Sequence, residues 1–297
     1  MATAEPKLML RGDARLRRRR IANRLAEASA TFAALAAVAV LVIVLWSIAK
    51  RGSGELSWGF LTRDLPIPFS PERGGIAPLI VGSGILVGLA AAIALPLGVS
   101  IAVFLEEFAP PRVRAPIQLS VDLLNGLPSI IIGVFVFGLL VYGGPQNGWA
   151  GSVGLSIVML PLITRATQEV LRLVPASQRE GALALGASRW RTVLGITLPS
   201  AFGGILTGTV LAVARAAGET APLLFATSIF GRTTELNPGH ALPNIPVQIF
   251  IWSESSDPAD HQRAWASALV LILFVLIASL LARLALARSR RKLGRTA

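Results

Sequence analysis

The sequence predicts an all-α integral membrane protein with about six transmembrane helices, and three observations lead to this fold class. Hydrophobic residues make up 53% of the 297 residues and charged residues only 15%, and the mean hydropathy of +0.65 exceeds what a soluble domain needs to fill its core. The apolar residues are gathered into runs long enough to cross a bilayer. Two Arg-rich segments lie at the ends of the chain, each beside such a run.

Each predicted span is long enough for a hydrocarbon core of about 30 Å at a rise of about 1.5 Å per residue. The first run is too long for the apolar part of a signal peptide, so we expect it to remain. Pro128 predicts a kink in the third span. A further apolar segment, residues 245–252, is too short to cross and is expected to lie in the outer interface or to pack on a partner. The six spans are predicted at residues 29–49, 76–105, 117–141, 149–171, 202–230 and 265–287.

The orientation of the chain in the membrane can be predicted from the number of spans and the charges between them. Both termini return to one side after six spans, and both are rich in Arg, whereas the loop between the fifth and sixth spans carries four acidic residues. The positive-inside rule therefore predicts that both termini of this multi-pass protein, whose expected location is the cell (inner) membrane, lie in the cytoplasm. The net charge of +12 is explained by these tails and by lipid contact, so nucleic acid is not an expected partner. The predicted parts are a basic tail at 1–28, a first span with an outer loop at 29–75, a transmembrane core at 76–287 and a basic tail at 288–297.

None of the residue patterns typical of a catalytic or metal site is present. The sequence has no cysteine, and its two histidines, His240 and His261, are too few and too far apart for a metal site. No lysine follows a phosphate-cradling Gly pattern, and the hydrolase and zinc-protease motifs are absent. We therefore expect no catalytic residue, no metal ligand and no bound cofactor, which leaves transport or scaffolding.

A semi-polar segment between the fourth and fifth spans, residues 175–199, is here called the polar loop. Ser177 can cap a short helix, with Glu180 three residues later completing a capping box. Gly186 is the natural left-handed stop of that helix. Ser188 can cap a second short helix that ends before Pro199. Short helices need a docking surface, and the side chains expected to face a partner are Arg179, Arg189, Trp190 and Arg191.

Two ionisable residues lie within the fifth predicted span. Arg215 and Glu219 are four residues apart, which places them on one helix face. Arg215 is expected about 20 Å into the hydrocarbon core, where an unpaired guanidinium costs about 3 kcal/mol or more. Either the two residues form an ion pair that only orients helices, or Arg215 offers a forked donor to a passing anion while Glu219 holds or releases it. Gly218 and Pro222 could let the helix bend at this point.

Other polar residues of the predicted spans have plainer explanations. Arg165 and Glu169 repeat the pattern in the fourth span but lie nearer its inner end, where anchoring at the membrane surface is expected. Asp122 and Asn125 are expected to bond to the broken helix around Pro128.

The polar loop resembles the EAA loop of ABC importer permeases in its full spacing, which runs from Glu180 to Pro199. A helix-Gly-helix pattern alone would also suit an ordinary connector, but this spacing between two membrane spans favours coupling. The resemblance implies that the loop docks on a dimer of ATP-binding subunits, which would carry the ATP and Mg. Gly181 stands where the EAA triplet that gives the loop its name has its middle alanine. The residues that the resemblance assigns to coupling are Glu180, Gly181, Ala182, Gly186 and Arg189.

Three further stretches, residues 74–84, 123–135 and 214–224, together with the polar loop, resemble phosphate ABC importer permeases of the PstA type. The resemblance implies a type I ABC importer permease fold, a second homologous permease subunit, and a periplasmic or surface-anchored binding protein that delivers phosphate. It also implies that Arg215, Glu219 and Thr220 line the substrate pathway.

Three other functions remain open at this point. A permease for another oxyanion, such as sulfate or molybdate, would share the same features. A proton-linked secondary anion transporter would use Arg215 and Glu219 without an ATPase, but no clear inverted repeat is present. A non-transporting scaffold would make the same ion pair purely structural.

Overall fold

A computed structural model describes residues 13–67 and 74–293, and these residues form helices and connecting turns with no strand. The chain divides into two compact units, Met1–Lys50 and Arg51–Ala297. The described part of the first unit belongs to one long helix, α1 (Asp13–Gly52), whose last two residues are counted with the second unit. Its apolar side chains are exposed, as expected for a helix that faces lipid. Residues 1–12 and 294–297 of the two predicted tails lie outside the described residues.

The second unit contains the remaining described helices. Five-residue π-helical segments continue α3 (Phe104–Phe108), continue α5 (Phe137–Val141) and join α8 to α9 (Val193–Thr197). The helices are α2 (Trp58–Thr62), α3 (Ala77–Val103), α4 (Pro111–Gly126), α5 (Ser129–Val136), α6 (Gly148–Leu173), α7 (Ala176–Ala184), α8 (Arg189–Thr192), α9 (Leu198–Ala216), α10 (Ala221–Ala226), α11 (Ile245–Ser253) and α12 (Pro258–Leu293).

The prediction of about six spans is confirmed by the helices in the described part of the chain. Five helices are long and apolar enough to cross a membrane, and α4 with α5 supplies a sixth if the bent pair counts as one span. The bend between them is 101°. It falls where Pro128 removes a backbone donor and holds its predecessor in an extended conformation, so the predicted kink is confirmed.

Two predicted helix boundaries around α9 are wrong. The second helix of the polar loop does not end before Pro199, because Arg189–Ala216 forms one continuous helical run. Pro199 lies in the first turn of α9, directly after the π-helical segment Val193–Thr197, and the altered hydrogen-bond pattern there leaves room for a residue without an N–H. The fifth span is also not one helix to residue 230, since α9 ends at Ala216 and the chain turns before α10.

The core of the second unit is built around α3, α6 and α9. Their buried side chains form one apolar cluster, with Leu86 of α3, Leu155 of α6 and Ala212 of α9 at its centre. Two glycines let α9 approach α6 closely: a Cβ at Gly204 would lie 2.4 Å from Val170, and one at Gly208 would lie 2.3 Å from Ala166. The close contact fixes α6 and α9 side by side.

Residues 245–252 pack on their own unit, which the sequence did not predict, and their place in the outer interface stays a prediction. They form most of α11, which buries Ile245 and Trp252 in a cluster with α2 and α12 of the same unit. Asn244 caps this helix by accepting a hydrogen bond from the Val247 N–H at 3.1 Å. Ile245, Val247 and Trp252 thus belong to the protein's own core, whereas Phe250 and Ile251 are exposed.

Candidate functional site

The polar loop folds as two short helices around a left-handed glycine. Gly186 has φ +82°, as its place after α7 predicts. Ser188 caps α8 by accepting a hydrogen bond from the Arg191 N–H at 3.4 Å, also as predicted. The predicted capping box at Ser177 is wrong, because the N-cap of α7 is Pro175, two residues earlier, and Ser177 lies inside the helix without a capping hydrogen bond.

The residues assigned to coupling lie mostly on the surface. Glu180, Gly181, Gly186 and Arg189 are exposed, whereas Ala182 is buried and anchors α7. Leu185 lies among them and is 91% exposed, although its apolar side chain would be more stable if it were buried. Leu183, Trp190 and Leu194 of the same loop are exposed as well, and exposed apolar surface marks a protein interaction site where it is contiguous.

Two side chains expected to face a partner instead contact the π-helical segment Phe104–Phe108, here called the α3 π-segment. Arg179 Nη2 lies 2.8 Å from Glu107 Oε1 and donates to the Leu171 carbonyl at 2.7 Å. Trp190 packs on Phe108 with ring centroids 4.6 Å apart. The outward prediction is therefore wrong for Arg179 and only partly right for Trp190, which keeps an exposed face.

Sequence reasoning missed a charged cluster centred on Glu106 of the same α3 π-segment. Its side chain is only 8% exposed, and its carboxylate accepts hydrogen bonds from Arg114 and Arg172 at 2.8 Å. Gln168 of α6 donates to it at 3.2 Å. The cluster joins the ends of α3, α4 and α6. The sequence did contain one indication of this cluster, since two glutamates follow the apolar run of α3. Charges near a membrane need partners.

Arg165 is paired with Asp122 of α4. The sequence pattern had grouped it with Glu169 on its own helix, and had assigned Asp122 to the broken helix at Pro128. The expected bond of Asp122 to the broken helix is wrong, because α4 lies against α6 and brings Asp122 to Arg165. The anchoring role of Arg165 and Glu169 stays a prediction. Asp122 also accepts a hydrogen bond from Gln118 at 3.3 Å.

The predicted pathway residues lie where α9 ends. Arg215 occupies the last turn of α9, a position that the helix dipole favours for a cation. Glu219 and Thr220 follow in the turn, so Glu219 is not on the helix itself. The expected pairing is nevertheless present, with Arg215 Nε 3.4 Å from Glu219 Oε1. Thr220 is half-buried beside it, at the start of α10.

The Arg215 side chain points away from the apolar core. Its neighbours Ala212 and Ala216 are buried in the core cluster, whereas the Arg215 side chain is 55% exposed and that of Glu219 16%. The terminal nitrogens of Arg215 make no hydrogen bond to other described residues. A charged group on the surface of a spanning helix is expected to face a water-filled cavity or another subunit.

This site lies where two interrupted helices pack together. A Cβ at Gly133 of α5 would lie 2.9 Å from the Ala221 carbonyl oxygen and 3.2 Å from Pro222 Cα, so α5 approaches the start of α10 closely. The break between α9 and α10 is thus held against the helix that follows the α4–α5 bend. Irregular backbone within a membrane is found where protein or a cavity surrounds it.

Comparison with known families identifies the class of protein. The model of a family described as binding-protein-dependent transport system inner membrane component matches residues 84–294, which is more than half of the chain. The chain therefore belongs to this family of membrane transport proteins.

Curated relatives narrow the family to its PstA branch. The phosphate transport system permease protein PstA of Yersinia pestis is 36% identical over 92% of this chain and 92% of its own length. The protein of that name in Haemophilus influenzae is 37% identical over 81% of this chain and 85% of its own. PstA 1 of Mycobacterium tuberculosis is 34% identical over 92% and 91%. The chain is a member of the PstA family.

Solved structures show the same fold at low identity. A chain of a bacterial alginate ABC transporter, in complex with its pentasaccharide-bound periplasmic protein, matches with a TM-score of 0.63 at 16% identity, over 90% of this chain and 96% of that one. A chain of the inward-facing methionine transporter MetNI matches with a TM-score of 0.56 at 16% identity, over 72% and 94%. The expected type I ABC importer permease fold is confirmed.

Proposed function

We propose that this chain is the membrane-spanning subunit of an ATP-driven importer that moves inorganic phosphate across the cytoplasmic membrane. The observation that carries the proposal is the exposed guanidinium of Arg215 at the break in a spanning helix, in a chain 36% identical to a phosphate permease. Arg is suited to this task because its planar fork donates two parallel hydrogen bonds to an oxyanion.

Before phosphate binds, the Glu219 carboxylate neutralises the charge of Arg215 but contacts only one of its three nitrogens. The contact at 3.4 Å uses Nε alone, which leaves the terminal nitrogens available to an incoming anion. Phosphate and the Glu219 carboxylate then compete for one guanidinium, so binding is strong enough for entry and weak enough for release. The hydroxyl of Thr220, which can donate or accept, lies at the same turn.

The energy source in this proposal is a pair of ATP-binding subunits on the polar loop. The exposed side chains of Glu180, Leu185 and Arg189 form the surface that meets them. The left-handed Gly186 holds α7 and α8 at the angle that presents this surface. Closure of the ATPase pair on ATP would push the loop and reorient the helices around the pathway, and hydrolysis would reset them.

The remaining partners of the proposal follow from the fold. A second, homologous permease subunit would face Arg215 and complete the cavity, and an extracytoplasmic binding protein would deliver the phosphate. The chain is placed with both termini and the polar loop in the cytoplasm, because its Arg-rich ends adjoin the first and last spans.

Uptake of labelled phosphate by cells that lack their own permease tests the function. Cells supplied with this chain and its cognate partners are expected to take up phosphate, with no competition from sulfate or molybdate in excess. Uptake that is absent for phosphate and present for sulfate or molybdate would overturn the substrate assignment. Uptake that persists when the ATP-binding subunit is omitted would overturn the ATP-driven mechanism.

A further inference from the structure

Two side-chain contacts attach the polar loop to the rest of its unit. Neither contact is part of the EAA spacing. Each helix of the loop contributes one. Arg179 of α7 is paired with Glu107 at 2.8 Å, and Trp190 of α8 stacks on Phe108 at 4.6 Å. Glu107 and Phe108 are adjacent residues of the α3 π-segment, so both links end at one place.

The contacts around these links are buried and continuous. The Glu107 side chain is only 14% exposed. An apolar cluster beneath it contains Val103 of α3, Leu171 of α6 and Val193 next to α8, and Phe108 packs against it. Because interiors are close-packed, a displacement of the loop is passed to these helix ends rather than absorbed.

Glu106, the residue before Glu107, connects the α3 π-segment to α4 and α6. Glu106 precedes Glu107 in the same segment and binds Arg114 at the start of α4 and Arg172 at the end of α6. The helix α4 leads directly to the 101° bend before α5, and Gly133 of α5 lies close to Ala221 and Pro222, which start α10 directly after the turn that holds Glu219. The polar loop is therefore connected to the bent span beside the pathway through side-chain contacts as far as the start of α4, and from there through the helices α4 and α5 themselves.

We propose that Glu107 and Phe108 are positioning residues for coupling. They hold the polar loop to the end of α3, so that movement imposed on the loop by the ATPase moves α3, α4 and α6 together and opens or closes the pathway. This inference rests on the proposed function. A π-helical segment suits the role, because its irregular hydrogen bonding is often found at functional sites and hinges.

The first test compares phosphate movement with ATP consumption in vesicles that contain the whole transporter. Glu107→Gln and Arg179→Gln remove the ion pair without altering the exposed surface of the loop. The ATPase should co-purify at the wild-type yield, and phosphate moved per ATP should fall by about fivefold or more, within the usual range of coupling between sites. Arg179→Lys, which keeps the positive charge and can still donate to the Leu171 and Val174 carbonyls, should retain most of the ratio.

A matched control is Arg112→Gln, which removes an exposed charge of α4 that makes no ion pair with the described residues. It should leave the ratio unchanged. A wild-type ratio in Glu107→Gln, which removes the ion pair but leaves the hydrogen bonds of Arg179 to the Leu171 and Val174 carbonyls, would overturn the proposal. Wild-type phosphate uptake in the same vesicles tests the proposed function separately, since it can succeed while this inference fails.

The second test does not depend on the ion pair and remains available if the charge variants fail to accumulate. The chain has no cysteine, so Phe108→Cys with Trp190→Cys supplies the only two thiols of this chain. Loss of the ring stack should lower phosphate moved per ATP, and joining the thiols with a short cross-linker should raise it again. A ratio that is normal before cross-linking and lost after it would show that the two residues separate during transport, which contradicts the proposal.

Discussion

Arg172 at the end of α6 and Glu106 at the end of α3 form an ion pair, with Nη2 of Arg172 2.8 Å from Oε1 of Glu106. The same carboxylate receives Arg114 from α4. One buried acid thus neutralises two bases from different helices. It fixes the relative positions of three helices at the end of the bundle that also carries the polar loop.

Removal of the Glu106 charge is expected to destabilise the protein. In Glu106→Gln the two guanidiniums lose their acceptor, and since both are about half-exposed the loss should be about 1–3 kcal/mol rather than the larger value of a fully buried pair. Thermal unfolding of the purified protein in detergent should show a lower midpoint. Glu254→Gln, which removes an exposed carboxylate with no side-chain bond to the described residues, should leave the midpoint in place; equal midpoints for both variants would contradict the role of Glu106.

The contact of α6 with α9 predicts a strong effect of one added carbon atom. In Gly208→Ala the new methyl group would lie 2.3 Å from the Cβ of Ala166, so the helices must separate, at a cost of about 1–3 kcal/mol. Membrane abundance and thermal stability should both fall. Gly84→Ala on α3 is the control, because its added carbon meets no atom within 4 Å, and a control as unstable as Gly208→Ala would contradict the packing explanation.

Two variants of the polar loop are expected to separate membrane insertion from ATPase docking. Gly186→Leu forces a side chain into a left-handed conformation that costs about 1–2 kcal/mol, although the space around it is open. Glu180→Lys reverses an exposed charge. Both proteins should insert at normal abundance but fail to retain the ATP-binding subunit during purification, and normal retention in both would contradict the docking role of the loop.

The orientation in the membrane can be tested with single cysteines, since the chain has none of its own. Trp58→Cys and Leu185→Cys replace residues that are 80% and 91% exposed. A maleimide that cannot cross membranes should label Trp58→Cys in intact cells and Leu185→Cys only after permeabilisation. The reverse pattern would place the polar loop outside the cell, out of reach of an ATPase.

Local patterns in the sequence predicted the local features of the structure. Gly186 and Ser188 act through their own backbone and the next few residues, and Arg215 lies within reach of Glu219 by spacing alone. The spans were equally accessible, because hydrophobicity over about 20 residues is a property of the segment itself. These features needed no knowledge of tertiary contacts.

Partners distant in sequence could not be predicted in the same way. Arg165 meets Asp122 43 residues away, and Glu106 meets Arg172 66 residues away. Only helix packing decides which charges become neighbours, and a single sequence does not contain that information. The end of α9 at Ala216 was hidden for a related reason, since the apolar composition of residues 202–230 does not distinguish a straight helix from an interrupted one.

The central claim is that Arg215 acts on the transported anion, and phosphate uptake by Arg215 variants tests it most directly. Arg215→Ala removes the donor fork, and Arg215→Lys keeps the charge without the fork. At membrane abundance equal to wild type, we expect uptake to be abolished in Arg215→Ala and strongly reduced in Arg215→Lys. Normal uptake by Arg215→Ala would contradict the account and leave the contact with Glu219 as a structural ion pair.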